Sequence, residues 1–527
     1  MTISAVSPAL AANLAAQSSY FQPGRRGAVF ERFLAVAPLV SPHDQTLLSL
    51  SAPNHVYAHL LRIGDRVFPA ARIQDENVLA EYGRLLGYRG LDYKGGIRFH
   101  PDVTLGKNKE LAFEMTLKNA VVAPSFDPAD AMEAGARLFM GGGKGTVRVD
   151  PSTLTDQELV QLAAEYGRTF ASHLAGPDWH PIDVPAPDVN TIGRYMQIMT
   201  DEYSRQAGRR VWSVFTGKRI EDGGIYVRDE ATARGGFIVL EWLLRETLKI
   251  DGNPFEGRTF AIDGFGNAGS FMAQIVTSRG GRVLAFSDSR GGLRSKNPEG
   301  FTADEIGNFL ALKEEERKQR TRLFDRNLDP KDLLAMDADV LVLAAPDLTL
   351  TGSNADRVRA KYIVELGNGV TNTEADKILQ EKGVILLPDI LANAGGVMVS
   401  GYEYLQGREW ERLAPNAPRH WWTRDYVMGL LSQQMTAAAA AVYGLAVQHS
   451  IALRTAADAK ALKTLDRAYR VVRLGEKDPG GGRHSGRQPR DGAPEDVKRA
   501  LDDIDSPAGG GNGQGQETPL DASETGS

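Results

Sequence analysis

Apolar residues recur along this chain in two patterns, which predict where strands and helices lie. From about residue 225 to residue 410, short apolar runs alternate with helical segments, as in parallel strands covered on both faces. The candidate strands are Thr259–Asp263, Val283–Ser287, Val340–Ala344, Tyr362–Leu366 and Val384–Leu387. This alternation predicts an α/β fold for that part of the chain.

The segment 110–123 is predicted to be a helix that is buried all round. Leu111, Met115, Lys118 and Val122 share one face at the 3.6-residue period, and apolar residues also line the opposite face. Lysines are almost never fully buried unless they are paired. Lys118 is therefore a candidate functional residue.

The two ends of the chain differ from its middle. Residues 1–30 are expected to be a loosely ordered extension. The stretch that begins at Met428 is strongly helical, and helices are predicted to continue to about residue 473. Residues 474–527 are rich in Gly, Pro and polar residues, so they are predicted to be a disordered tail.

Length and composition exclude several classes of function. A chain of 527 residues exceeds one ordinary core, and its net charge of -6 argues against bulk binding to nucleic acid or to an anionic membrane. The absence of cysteine excludes disulfides, thiolate zinc sites and cysteine nucleophiles, and it fits a cytoplasmic protein. No HExxH pattern, targeting signal or apolar run long enough to span a bilayer is found, so neither a metal site nor a membrane segment is expected.

The segment DGFGNAG carries a glycine pattern typical of dinucleotide binding. Gly264, Gly266 and Gly269 follow a predicted strand and precede a predicted helix. Glycine lets the backbone amides approach a pyrophosphate, and the helix N-terminus favours the anion. An ordinary strand-to-helix turn is the weaker alternative.

Two residues at the end of the next strand bear on the choice between NAD and NADP. Asp288 follows at about the offset expected for the acid that binds the ribose 2′-OH, which favours NAD. Arg290 could instead accept the 2′-phosphate of NADP. Both cofactors stay open, with NAD favoured.

Two further lysines and one aspartate stand in unusual surroundings. Lys94 in YKGGIRFHP and Lys144 in MGGGKGT adjoin glycines that allow close approach of a ligand. In a closed cleft with other cations, such a lysine would have a lowered pKa and act as a neutral amine. Asp188, in the proline-stiffened IDVPAPDVNT, is a candidate proton-transfer partner. The alternatives are surface lysines with packed stems and an aspartate that caps a turn.

Eight stretches, in order between about residues 60 and 455, resemble the glutamate dehydrogenase family, within the wider glutamate, leucine, phenylalanine and valine dehydrogenases. They are YKGGIRFHP, FEMTLKNAVV, GGGKGT, DVPAPDVNT, FTGKRIEDGGIYVRDEATARGG, DGFGNAG, AKYIVELGNG and LPDILANAGGVMVSGYEY. The resemblance implies an N-terminal α/β substrate domain, a Rossmann-type dinucleotide-binding domain and C-terminal helices that return to the first. It also implies a hexamer, here a homo-oligomer. The expected boundaries are 1–222, 223–410, 411–473 and the tail 474–527.

The resemblance also implies roles for individual residues. Lys94 and Ser400 would bind the substrate side-chain carboxylate, and Lys118 would bind the α-carboxylate. Lys144 would be the catalytic lysine, with Asp188 as its partner. The expected cofactor contacts, besides the glycines and Asp288, are Arg228, Thr232, Asn267 and Asn368, with Arg228 also shaping the cleft.

The resemblance predicts reversible, NAD(P)-dependent oxidative deamination of L-glutamate. The chain departs from the usual family pattern in GGGKGT, ATARGG and ELGNGV, and it is longer before Lys94 and between Lys118 and Lys144. Two alternatives are a dehydrogenase of an apolar amino acid such as leucine and a catalytically silent regulatory homologue. Lys94 and Ser400 argue against the first, because a buried cation facing an aliphatic side chain would be unpaired.

Overall fold

The structure is a computed structural model that describes residues 35–124, 133–288, 291–312, 325–345, 348–414 and 417–478. The predicted N-terminal extension (1–30), Arg290 and residues 479–527 of the predicted tail lie outside the described residues.

A five-stranded mixed sheet forms the N-terminal part. Its strands are β1 (His55–Ile63), β2 (Arg66–Gln74), β3 (Arg89–Phe99), β4 (Leu138–Val147) and β5 (Asp183–Pro187). They lie in the order β1-β2-β4-β3-β5, with β3 parallel to both β4 and β5. The register places Lys94 on β3 opposite Gly142 and Val184, so the candidate residues of three separate segments become neighbours.

Several helices accompany this sheet in the described part of the chain. They are α1 (Asp44–Ser49), α2 (Val78–Leu85), α3 (Leu105–Val121), α4 (Asp156–Leu174) and α5 (Gly193–Ala207). The helix predicted at 110–123 is α3, which begins five residues earlier because Thr104 caps it by accepting a hydrogen bond from the Lys107 amide at 3.0 Å. It packs on β4, and Lys118 on it is only 7% exposed.

The second sheet has seven strands, of which the first five in spatial order are parallel. Its strands are β6 (Thr259–Asp263), β7 (Arg282–Asp288), β8 (Gly291–Arg294), β9 (Asp325–Leu328), β10 (Val340–Leu343), β11 (Tyr362–Glu365) and β12 (Ile385–Leu387). They lie in the order β12-β11-β10-β6-β7-β8-β9. All five predicted strands are present within one residue at each end, and they form the doubly wound α/β sheet that was expected.

Helices flank the second sheet and continue beyond it. They are α6 (Ala231–Leu248), α7 (Asn267–Ser278), α8 (Ala303–Ala311), α9 (Pro330–Leu334), α10 (Thr373–Glu381), α11 (Asp389–Ala392), α12 (Gly395–Trp410), α13 (Arg424–His449) and α14 (Leu453–Leu474). The last helix packs against α2 and α3 beside the first sheet, and also against β12 of the second.

One buried ionic network holds the start of α14 against the second sheet. Arg454 binds Glu365 at 2.7 Å, Asp376 at 2.5 Å and Asp389 at 3.4 Å. Asp389 in turn accepts a hydrogen bond from the Gly369 amide at 2.7 Å. The C-terminal helix is thereby connected to the loop that follows β11.

No segment was expected to be long and apolar enough to span a bilayer, but the helix α13 is, judged by length and composition alone. Of its 18-residue apolar stretch, 44% is buried inside the protein. A core helix of a globular protein passes the same test, and α13 packs against α6, α12 and α14.

Candidate active site

The candidate residues from both sheets line one cleft of about 160 Å³. Pockets for drug-sized ligands have volumes of about 300–1,000 Å³, so this cleft suits a small metabolite. The predicted residues in its wall are Lys94, Lys118, Lys144, Asp188, Arg228, Thr232, Asn368 and Ser400. The lining contains four cationic side chains and one carboxylate, which favours an anionic ligand.

Lys144 and Asp188 form the ion pair that their proposed chemistry needs. Lys144 Nζ lies 3.1 Å from Asp188 Oδ2. Arg98, which was not predicted from the sequence, donates from Nε to the same oxygen at 2.8 Å. Lys144 is 3% exposed, so its amine is shielded from bulk water.

Burial and charge shift the pKa values of this pair. Desolvation lowers the pKa of Lys144, and nearby Arg98 lowers it further, although Asp188 opposes both. For Asp188, burial alone would raise the pKa, but Lys144 and Arg98 hold it below its usual range. Asp188 is therefore a carboxylate at neutral pH. Lys144 can lose its proton and become a neutral amine at a pH below the ordinary pKa of a lysine.

Lys94 belongs to a chain of hydrogen bonds at another point of the cleft. It is fully buried and donates to Thr216 Oγ1 at 3.1 Å, which lies 2.6 Å from Ser400 Oγ. One helical turn beyond Ser400, Glu403 binds Lys218 at 2.8 Å and accepts from the Gly217 amide at 2.7 Å. The helix α12 thus holds the loop that brings Thr216 to Lys94.

Arg228 adds a second cation beside Lys94. Its Nε is buried and has no hydrogen-bond partner among the described residues. Burial lowers the pKa of Lys94 well below its usual value, and the positive charge of Arg228 lowers it further. The unpartnered Nε of Arg228 next to a buried amine makes this end of the cleft suitable for an anion.

Lys118 connects the first sheet to the loop after β11. Its Nζ donates to Asn368 Oδ1 at 2.9 Å, and Asn393 donates to the same oxygen at 2.8 Å. Burial lowers the pKa of Lys118, while Asp389 opposes that shift. Asn393 Oδ1 is buried without a partner among the described residues, so it can accept a hydrogen bond from a ligand N–H group.

The glycine loop has the shape that a dinucleotide requires. Gly264 has φ +93°, and a Cβ on Gly269 would lie 1.9 Å from the Gly264 carbonyl oxygen, so packing requires glycine at both positions. A Cβ on Gly266 would meet nothing within 4 Å, which leaves open space at the start of α7. Gly266 is the N-cap residue of α7 and has no side chain that could bond to the first amides of the helix. The helix N-terminus can therefore receive a phosphate.

The other predicted cofactor residues lie around this loop and the cleft. Asn267 is the first residue of α7 and donates to the Asp229 carbonyl oxygen at 2.7 Å. Thr232 lines the cleft beside Gly396. Asp288 is the last residue of β7, where a ribose-binding acid is expected. These residues, together with the orphaned Asn393 oxygen, fit a nicotinamide dinucleotide.

Three residues of the site were not predicted from the sequence, although each lies in one of the eight stretches given above. Arg98 lies in YKGGIRFHP, Thr216 in FTGKRIEDGG and Asn393 in LPDILANAGG. The alternation of β3 was the available signal for Arg98, because Lys94, Gly96 and Arg98 point to the same face. Nothing comparable marks Thr216, which lies in a loop.

Two parts of the chain match known protein families. Residues 223–472 match Glutamate/Leucine/Phenylalanine/Valine dehydrogenase, and residues 89–205 match the Glu/Leu/Phe/Val dehydrogenase dimerisation domain. Together these matches include every predicted site residue.

Curated relatives and a solved structure give the same result. The chain is 37% identical to a catabolic NAD-specific glutamate dehydrogenase of Bacillus subtilis, over 69% of this chain and 77% of that protein. It is 34% identical to an NADP-specific glutamate dehydrogenase of Synechocystis, over 81% and 90%. The crystal structure of a hetero-hexameric glutamate dehydrogenase from Thermus thermophilus, in its Leu-bound form, is 29% identical with a TM-score of 0.72, covering 86% of this chain and 98% of that one.

Proposed function

Because the chain belongs to the glutamate/leucine/phenylalanine/valine dehydrogenase family, we propose that it catalyses the reversible oxidative deamination of L-glutamate to 2-oxoglutarate and ammonia with NAD or NADP. The observation that carries this proposal is the excess of buried cations in the cleft. Lys94 and Arg228 lie at one end, and Lys118 lies beside Asn368. Two separate cationic sites suit a dicarboxylate better than an apolar amino acid.

Substrate binding would use both sites. Lys94 and Ser400 bind the side-chain carboxylate beside the positive charge of Arg228, and that anion restores the charged form of Lys94. Lys118 binds the α-carboxylate. This arrangement presents the amino group and Cα towards Lys144 and Asp188.

The chemistry then divides between cofactor and protein. When bound, the nicotinamide supplies the acceptor for the hydride of Cα, and Asn368 and Asn393 orient it. Asp188 takes a proton from the substrate ammonium, and Lys144 as a neutral amine takes a proton from the water that attacks the imine carbon. Asp188 then returns its proton to the nitrogen, so that ammonia leaves as the C–N bond breaks. The hydroxyl that came from water loses its proton as the carbonyl of 2-oxoglutarate forms.

Cofactor preference and assembly belong to the same proposal. Asp288 at the end of β7 favours NAD, because a 2′-phosphate there would meet a carboxylate. We further propose the domain boundaries given above, a hexamer of identical chains and a cytoplasmic location, which the lack of cysteine supports. Light scattering of the purified protein would measure the number of subunits.

The experiment that tests the proposal replaces one cationic side chain of the cleft by an uncharged one. Lys94→Met should cut kcat/KM for glutamate by at least about 100-fold, because a charged hydrogen-bonding pair contributes about 3 kcal/mol or more when buried. Turnover of leucine, which has no side-chain carboxylate, should fall far less. Lys249→Met, which removes a 72%-exposed lysine, is the control. Equal losses on both substrates would contradict the assignment of Lys94.

A further inference from the structure

We propose that Arg98 is a positioning residue of this active site: by sharing Oδ2 of Asp188 with Lys144, it fixes the carboxylate by one oxygen and leaves Oδ1 for the substrate ammonium. The inference rests on the proposed function for the identity of the substrate. The arrangement of the three side chains itself is independent of that function.

The register of the first sheet brings the three residues together. Arg98 on β3 pairs with Thr146 on β4, and Lys144 is two residues earlier on the same face of β4. The neighbouring pair Ile97 and Pro187 joins β3 to the end of β5, so Asp188 follows directly beside Arg98. The backbone therefore holds the arginine in place before any ligand binds.

The two oxygens of Asp188 have different partners. Oδ2 receives Arg98 Nε at 2.8 Å and Lys144 Nζ at 3.1 Å. Oδ1 makes no hydrogen bond to the described residues, and Asp188 lines the cleft. On the main chain, Thr191 Oγ1 accepts from the Asp188 amide at 2.9 Å, which fixes the backbone. An anchored oxygen and an open oxygen are what a positioned proton acceptor requires.

Arg98 also determines the charge around Lys144. The charged groups that act on the pair are Arg98, Lys118 and Glu114. Arg98 lowers the pKa of both Lys144 and Asp188, so its removal should raise both. Activity that needs the neutral amine of Lys144 would then begin at higher pH.

The test compares Arg98→Gln and Arg98→Lys with the wild-type enzyme across pH. Loss of one cation within about 4–6 Å shifts a pKa by about 1–3 units, so the acidic limb of kcat in Arg98→Gln should move up by about one pH unit. Arg98→Lys should largely restore the wild-type limb. Arg148→Gln is the control, because Arg148 is exposed and its guanidinium donates to the Pro101 carbonyl oxygen at 3.1 Å.

A second measurement does not depend on turnover. The pH at which the Lys144 amine becomes half-reactive towards acetic anhydride, followed by peptide mass spectrometry, should rise in Arg98→Gln by the same amount. The inference would be overturned if kcat fell equally at every pH while the acidic limb of its pH profile and the reactivity midpoint both stayed in place. Arg98 would then have a structural role alone. Wild-type protein without glutamate turnover would overturn the proposed function instead, and the reactivity midpoint would still decide the role of Arg98.

Discussion

Arg454 offers a direct test of how α14 is held against the second sheet. The substitution Arg454→Met keeps most of the side-chain volume. It removes the guanidinium that, in the network described above, binds Glu365, Asp376 and Asp389. Glu365 is fully buried and Arg454 is 5% exposed, so water cannot take the place of the lost cation. Removing one partner of a buried ion pair costs about 3–5 kcal/mol.

The matched control is Arg357→Met. Arg357 also binds an aspartate, Asp332 at 2.8 Å, but their side chains are 42% and 59% exposed. An exposed pair contributes about 0–1 kcal/mol, so the control should change the thermal midpoint little. Differential scanning calorimetry should show a loss of several degrees for Arg454→Met and almost none for Arg357→Met.

The loss of stability in Arg454→Met should depend on pH in a definite direction. Burial raises the pKa of Glu365, with Asp389 adding to the shift and Arg454 opposing it. Without Arg454 this pKa rises further, and a carboxyl group with a raised folded pKa loses stability as pH rises through that value. The deficit of Arg454→Met should therefore be larger at about pH 8 than at about pH 5.5. A deficit equal to that of the control, or one independent of pH, would refute the reasoning.

Two further predictions concern the catalytic pair and the glycine loop. Lys144→Ala and Asp188→Asn should each remove most turnover. The double variant should be little worse than the less active single variant, because residues that act as a unit give non-additive losses. Steady-state rates measure these losses, and additive losses would show that the two residues act separately. Gly266→Ala should weaken cofactor binding in a fluorescence titration without lowering the thermal midpoint, whereas Gly269→Ala should lower the midpoint, because its Cβ would lie 1.9 Å from a backbone oxygen. The same effect from both substitutions would contradict the assignment of Gly266 to the phosphate site.

The buried strands of the second sheet were predictable from the sequence because both of their faces are covered. Their apolar runs are nearly continuous, so Thr259–Asp263 has the predicted bounds. The strand predicted at Val283–Ser287 is one residue longer at each end, and the other three differ by one residue at one end. The strand Gly291–Arg294 was not predicted, since it is short, begins with two glycines and shows no apolar alternation.

The lysines of the site could be predicted, but most of their partners could not. Lys118 was identified by its place on a helix with apolar residues on both faces, and Lys94 and Lys144 by their glycine neighbours. The contact of Arg98 with Asp188 depends on the register of three strands, which no local pattern encodes. Arg454 resembles an ordinary helix residue in the sequence, and only the tertiary fold places three carboxylates around it.

The most direct test of the central claim is the rate of NADH or NADPH formation by the purified protein with L-glutamate, compared with L-leucine at the same concentration. The excess of cations in the cleft predicts robust turnover of glutamate, little turnover of leucine and a higher kcat/KM with NAD than with NADP. Robust turnover of leucine without turnover of glutamate would contradict the dicarboxylate site. Absence of turnover with both amino acids and both cofactors would support the silent homologue instead.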